Sequence, residues 1–239
     1  MANPYFKFKQ FTVHQERATL KVSTDSCLFG AWCADKIAKG QIKHRHILDI
    51  GSGTGLLMLM LAQKSDALID GIEIDHDTCI QARENLAASP WHDRLQLFEG
   101  DVRAYSFSKQ YDLIVSNPPF FEGDLKPVAH SKRIAKHDET LTLEDLLDVL
   151  SSLMHDDSKF ACLMPFHRRS ELIEVAREKG LFLAEEMQVK QTTRHDFFRS
   201  IMMFGKSNVQ LEIESIAIQE NGVYTAAFVE LLRDYYLYL

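Results

Sequence analysis

The chain is poor in the residues that staple proteins or hold metals. It has 4 cysteines in 239 residues, Cys27, Cys33, Cys79 and Cys162, and no two form a C-x-x-C pair. That scatter excludes the usual zinc and thiol-redox motifs. The 10 histidines also lack ligand spacing; His44 and His46 flank an arginine in what reads as a solvated loop. No metal is therefore expected. No apolar run reaches the roughly 20 residues of a membrane-spanning helix, and no charged-then-apolar leader opens the chain, so a cytoplasmic protein is expected. Repeats, low-complexity tracts and linker-like stretches are missing too. One domain over residues 1–239 is the expectation, with a monomer as the default. A hydrophobic share of 46% is ordinary for a globular chain, and this length allows a large core.

Proline is also scarce, but 2 of the 6 are adjacent. Asn117-Pro118-Pro119-Phe120 follows the strand-like run Tyr111–Ser116. Each proline fixes its own φ and pushes the residue before it to an extended shape. A strand ending this way can aim the Asn117 amide oxygen and the Pro118 carbonyl at one small target, with Phe120 as a stacking face. That frame suits a planar group carrying an NH2, either the exocyclic amine of a nucleobase or a glutamine side chain. Alone, the motif reads equally well as a rigid turn.

A second motif lies upstream. Ile47-Leu48-Asp49-Ile50 leads into Gly51, Gly53 and Gly55, then into Leu56–Ala62. This reads as strand, tight turn and helix, where a ligand can approach the backbone and meet free N–H groups. The G-x-G-x-G spacing is not the G-x-G-x-x-G of dinucleotide sites. Asp49 would repel a pyrophosphate but suits a ligand with a cationic end, such as the methionine part of S-adenosyl-L-methionine. Glu73 closes the next strand-like run, Ala67–Ile74, about 20 residues past the glycines, where a carboxylate can accept both ribose hydroxyls. A third run, Leu95–Glu99, leads to Gly100, Asp101 and Val102. Asp101 could accept from an adenine amine and Val102 could pack on the ring. Taken singly, Glu73 and Asp101 are ordinary strand-end and turn residues.

Together these motifs resemble those of class I S-adenosyl-L-methionine-dependent methyltransferases with an adenine-N6-type Asn-Pro-Pro-Phe site. Phe6–Gln15, Leu20–Ser26, Gly30–Trp32 and the C-terminal Tyr224–Leu237 are similar to stretches of the bacterial tRNA1(Val) (adenine(37)-N6)-methyltransferase family. The resemblance thus spans nearly the whole chain. It implies an α/β, Rossmann-like fold: a mostly parallel seven-stranded sheet with a reversed last strand, helices on both faces and a short N-terminal appendage. It implies S-adenosyl-L-methionine as cofactor and tRNA as partner, with adenine 37 of the anticodon loop as target. Asp49, Gly51, Gly53, Gly55, Glu73, Asp101, Val102 and Asn117 would then hold the cofactor. Asn117, Pro118 and Phe120 would carry the chemistry, and Pro119 and Phe121 would touch the substrate.

Adenine N6 is a poor nucleophile because its lone pair is delocalised into the ring. Acceptors on both N–H bonds favour a more tetrahedral nitrogen with its lone pair aimed at a sulfonium methyl. No general base is needed before transfer. Stacking on Phe120 would contribute about 1–3 kcal/mol, once the base has left its own stack.

Positive charge is scarce overall: 27 Lys and Arg against 34 Asp and Glu give −7. RNA binding then needs a local patch. Residues 1–24 hold Lys7, Lys9, Arg17 and Lys21 against Glu16 alone. Residues 125–137 hold Lys126, Lys132, Arg133, Lys136, His130 and His137 with no acid. The second run follows the Asn-Pro-Pro-Phe motif directly, so it is the expected phosphate-docking segment, with a solvated loop as the bland reading.

Leu143, Leu146, Leu147, Leu150, Leu153 and Met154 recur at helical spacing, behind Thr142 as a cap and Asp145 in the first turn. Lys159–Met164 reads as a strand and Arg168–Lys179 as a helix closed by Gly180. Leu181–Val189, Arg199–Gly205 and Gln210–Gln219 read as further strands. Alternating strands and helices imply a parallel sheet; residues 1–24 would form a hairpin appendage beside the cofactor. Other functions fit parts of this pattern. Protein glutamine methyltransferases use Asn-Pro-Pro with an aromatic, but they tend to have tyrosine in place of Phe120 and a helical N-terminal domain, and only about 45 residues precede the first sheet strand here. DNA adenine methyltransferases share the chemistry. A non-catalytic nucleic-acid-binding module would not need an intact glycine turn, Glu73 and Asn117.

Overall fold

A computed structural model describes residues 3–118 and 141–239. The sheet is built around β3 (His46–Ile50), buried at its last four positions, as strands of parallel sheets are. β3 pairs in parallel with β4 (Leu68–Glu73) on one side and β6 (Tyr111–Ser116) on the other. β5 (Leu95–Glu99) lies outside β4. Beyond β6 come β7 (Met154–Pro165), β9 (Phe197–Gly205), β8 (Phe182–Thr192), β10 (Glu212–Glu220) and β11 (Val223–Tyr224). β5, β4, β3, β6 and β7 run the same way, and β9 runs antiparallel to both β7 and β8. β9 is the reversed strand that the resemblance implied. Among the described residues the sheet has nine strands where seven were expected: β10 pairs in parallel with β8, and β11 folds back on β10. The 11 residues of β8 would otherwise leave a long open edge, which β10 covers.

Alternating side chains feed two cores. Ile47, Leu113, Val115 and Ile201 face a layer made by α1 (Thr24–Ala38), α2 (Leu56–Ala62), α3 (His76–Ala87) and α6 (Ala226–Leu232). Leu48, Ile114, Phe160 and Met202 face α4 (Leu143–Leu153) and α5 (Arg169–Glu178). The predicted capping of α4 is present: Thr142 and Asp145 form a capping box, and the leucines are buried. α5 is followed by Gly180 at φ 75°, the left-handed stop that glycine supplies. α1 escaped the sequence reading for a physical reason. Ser26–Ala34 is buried without a break, so no polar face marks its period.

The N-terminal residues form the antiparallel pair β1 (Tyr5–Lys7) and β2 (Thr12–His14). Two anchors hold this pair. Phe8 bridges to Tyr236, and the Lys9 N–H donates to the Tyr235 carbonyl at 2.8 Å. The rings of Phe6, Phe8 and Tyr236 add centroid distances of 4.7, 5.6 and 6.0 Å. On the other side, the buried Asn85 of α3 accepts from the His14 N–H and donates to the His14 carbonyl, each at 2.9 Å. Its amide also donates to the Thr54 carbonyl at 2.9 Å. The two chain ends therefore pack on each other, and β2 is tied to the glycine turn. Asn85→Ala removes three hydrogen bonds and strands their partners, so it should cost about 2–4 kcal/mol; urea unfolding measures this.

Candidate active site

Because β3, β4, β5 and β6 are parallel, their carboxyl ends share one rim, and the sheet order reverses between β3 and β6. Crevices at such switch points are where open α/β sheets take ligands. The glycine turn leaves β3, Glu73 ends β4, Asp101 and Val102 follow β5, and Asn117 and Pro118 follow β6. Register fixes these groups relative to one another: Asp49 lies opposite Gly71 and Val115, and Ile50 opposite Ser116.

Gly51, Gly53 and Gly55 hold φ of 72°, 53° and 80°, the left-handed region that glycine enters freely. A Cβ on Gly51 would meet nothing within 4 Å, and one on Gly53 only the Gly51 carbonyl at 4.0 Å. The turn thus presents bare backbone to open space. The amides of the turn itself, ahead of α2, are largely spent within the protein. Gly51 and Ser52 donate to the Ile72 carbonyl at 2.9 and 3.1 Å, Gly55 to the Ser52 carbonyl at 2.8 Å, and Gly53 to Glu73 Oε2 at 2.9 Å. The turn offers close approach rather than the row of donors that a phosphate wants.

Asp49 is fully buried, and neither carboxylate oxygen has a hydrogen-bond partner among the described residues. Burial, reinforced by the charge of Glu73, pushes its carboxyl up to about 8. An unpartnered buried acceptor is costly, and an incoming cation would relieve it. Glu73 Oε1 accepts from the Ile74 and Asp75 N–H groups at 2.9 and 3.0 Å, besides the Gly53 bond to Oε2. Of about four lone-pair sites on a carboxylate, that leaves roughly one for a ribose hydroxyl, where the sequence suggested room for two. A cation-seeking acid, a hydroxyl acceptor and bare backbone between them fit S-adenosyl-L-methionine.

Asp101 is already engaged. Arg103 Nε and Nη2 reach Asp101 Oδ2 at 2.9 and 2.6 Å, and the Arg103 backbone N–H reaches Oδ1 at 2.9 Å. These bonds hold the Asp101 carboxyl below the usual carboxylate range. An adenine amine would meet a carboxylate whose charge Arg103 has largely neutralised. Val102 is buried in the core that contains Ile50 and Ile72.

Asn117 is half-buried, and its Nδ2 donates to Ser26 Oγ at 2.9 Å. Ser26 Oγ in turn lies 2.8 Å from the hydroxyl of Ser23, the N-cap of α1. An amide held by its nitrogen presents its oxygen on the other side. Below it, Ser116 Oγ donates to the Ile50 carbonyl at 2.8 Å and locks the ends of β6 and β3 together. Ser26 has no role in the sequence reading beyond ending the family-like stretch Leu20–Ser26, because its bond to Asn117 spans 91 residues of chain.

Pro119, Phe120, Phe121, Lys126, Lys132, Arg133 and Lys136 lie outside the described residues. The N-terminal cations are mostly occupied: Lys9 Nζ donates to the Arg233 carbonyl, Lys21 Nζ to the Gln15 carbonyl, and Arg17 pairs with Glu84 at 2.9 Å. Among the described residues no group of three or more His, Cys, Asp or Glu could hold a metal, and no helix is long and apolar enough to cross a membrane.

Comparison with known proteins bears on what this rim serves. The sequence profile of the family Methyltransferase small domain matches residues 33–147. A tRNA1(Val) (adenine(37)-N6)-methyltransferase of Parabacteroides distasonis is 38% identical over 99% of both chains, and one of Trichodesmium erythraeum is 40% identical over 99% of both. The chain belongs to this tRNA1(Val) (adenine(37)-N6)-methyltransferase family. Its fold recurs in a crystal structure described as a predicted O-methyltransferase from Agrobacterium tumefaciens, with TM-score 0.65 at 18% identity over 88% of this chain and 96% of that one. A glycopeptide N-methyltransferase complexed with S-adenosyl-L-methionine gives 0.56 at 11% identity over 75% and 88%.

The geometry of this family member's Glu73 yields a test. Glu73→Gln keeps one acceptor oxygen but sets an NH2 against backbone donors. It should weaken S-adenosyl-L-methionine binding by about tenfold or more and lower stability by about 1–3 kcal/mol. Calorimetry and thermal melts read the two effects separately, and unchanged affinity removes Glu73 from the cofactor site.

Proposed function

We propose that this chain transfers the methyl group of S-adenosyl-L-methionine to the exocyclic N6 of adenine 37 in the anticodon loop of tRNA1(Val), acting in the cytoplasm as a monomer. One observation carries this reading: on adjacent strand ends, an unpartnered buried acid at Asp49 stands beside an amide at Asn117 whose nitrogen is already bonded. Family membership supplies the substrate class.

When bound, the cofactor supplies an electrophilic methyl on a sulfonium. Asp49, ionised, holds the cationic end of the donor. Glu73 accepts from its ribose, and Val102 packs its ring. Asn117 Oδ1 and the Pro118 carbonyl take the two N–H bonds of the target amine and keep its lone pair out of the ring. As positive charge develops on that nitrogen, two acceptors fixed in advance stabilise the transition state more than the ground state. In this reading Phe120 stacks on the base, Pro119 and Phe121 contact the substrate, and Lys126, Lys132, Arg133 and Lys136 meet phosphates.

Incubation with labelled S-adenosyl-L-methionine and unmodified tRNA, followed by nucleoside digestion, should give N6-methyladenosine. Label confined to protein glutamine or to DNA contradicts the reading. Asn117→Ala should lower kcat by about 100-fold or more, by analogy with the loss of one transition-state hydrogen-bonding group, with cofactor affinity unchanged. Ser26→Ala frees the Asn117 amide to turn over. It should lower kcat by about tenfold, the worth of one hydrogen bond, without raising the cofactor KM, and Ser26→Thr should restore the rate. A wild-type kcat in Ser26→Ala removes this serine from the account.

A further inference from the structure

We infer that RNA docks on a ledge of phenyl rings and cations at the active-site edge of the sheet, built by the β7–α5 turn and the β8–β9 hairpin; its ligand is the single-stranded RNA flanking the flipped base. This inference rests on the RNA reading above and names the surface that reading lacks among the described residues.

The charge is concentrated there. Residues 165–169 contain Arg168, Arg169 and His167 with no acid, and Lys190–Arg199 contains Lys190, Arg194 and Arg199 against Asp196 alone, in a chain of net charge −7. Topology brings both segments to the rim. Cys162 of β7 lies opposite Ser116 of β6, so Pro165 stands three residues further out, about 10 Å at the rise of a strand. Pro165 is in register with Arg199, and Lys190 with Phe197.

The rings and cations interleave. Phe166 and Phe197 lie 5.1 Å apart, tilted by 33°. The Arg169 guanidinium sits 4.8 Å from the Phe166 ring, the Lys190 ammonium 4.6 Å from Phe197, and the Arg199 guanidinium 5.4 Å from Phe198. All three phenylalanines are only half-buried, and Arg194 and His195 are exposed. Some of the charge is already used: Arg199 Nε donates to Asp25 Oδ2 at 2.8 Å, Arg169 lies 3.6 Å from the buried Glu186, and Arg168 pairs with Glu171. Lys190 and Arg194 have no carboxylate partner among the described residues.

The Arg199–Asp25 bond gives the ledge a fixed relation to the site. Asp25 directly precedes Ser26, which holds the Asn117 amide. A nucleotide held on the ledge is therefore referenced to the amine acceptor through two side-chain bonds. Half-exposed rings with Lys190 and Arg194 in the same hairpin suit loops of RNA, because splayed bases stack on aromatics while their phosphates meet Lys and Arg.

The test compares the wild type with Lys190→Ala/Arg194→Ala, with Phe197→Leu, and with Lys43→Ala/Lys206→Ala, which removes the same charge from the opposite edge. RNA affinity is measured against salt concentration with unmodified tRNA, alongside kcat, KM and S-adenosyl-L-methionine affinity. The Lys190/Arg194 variant should flatten the log–log salt slope by roughly 1.4–1.8, for two lost contacts at about 0.7–0.9 each, and raise the tRNA KM by about tenfold. Its kcat at saturating tRNA and its cofactor affinity should stay at wild type. Phe197→Leu should weaken RNA binding by about tenfold with the slope unchanged, as loss of stacking does. The opposite-edge variant should match the wild type. Wild-type slopes and KM in both ledge variants, or equal losses in the opposite-edge variant, overturn the ledge while leaving the methyltransferase reading intact. If the wild type itself methylates no RNA, that reading falls and the ledge falls with it.

Discussion

A buried carboxylate with no partner is the constraint around which this rim is arranged. Asp49 sits at the end of a strand flanked on both sides, and both its oxygens lack hydrogen bonds among the described residues. Its carboxyl, ordinarily near 3.8, is pushed up to about 8 by burial and by Glu73. It therefore binds more protons in the folded chain than in the unfolded one, and the ligand-free protein loses stability as pH rises across that window. A fold does not keep such a group for its own sake. It makes sense beside an external cation, and the surrounding turn, with its amides spent and its backbone bare, gives that cation access without offering a phosphate site.

The rest of the molecule keeps this rim in shape. Asn85 ties the N-terminal pair to Thr54 within the glycine turn, and Glu73 ties the same turn to the end of β4. The N-terminal pair leans on Tyr235 and Tyr236, and the Tyr235 hydroxyl donates to the Met60 carbonyl of α2 at 2.9 Å. This explains why informative stretches occur at both ends of the sequence: they meet behind the helix that follows the glycine turn. The start of α1 links that layer to the chemistry, with Ser23 on Ser26, Ser26 on Asn117 and Asp25 on Arg199.

The parts legible in the sequence were those whose signal is local. The glycine turn, the carboxylate at Glu73, the capped helix behind Thr142 and the strand before Asn117 each carry their cause within a few residues. What stayed hidden depends on tertiary contact. α1 has no polar face over Ser26–Ala34 because α2, α6 and the sheet strand β7 all pack on it. The Gly53 N–H reaches Glu73 across 20 residues of chain, a pairing that only folding brings about. The cations of Lys190–Arg199 sit in one short run, but only pairing of β7 with β9 sets them beside Phe166, Arg168 and Arg169, about 20 to 30 residues earlier in the chain.

The most direct test of the account is the proton balance of S-adenosyl-L-methionine binding. Titrations at pH 6.5 in two buffers of different ionisation enthalpy should show release of up to one proton, because Asp49 enters the complex ionised while the free protein holds it protonated up to about 8. The release should fade as pH rises past that value and should vanish in Asp49→Asn. Binding that moves no protons across this range, or release that persists in Asp49→Asn, would contradict the claim that this buried acid awaits the cationic end of the cofactor.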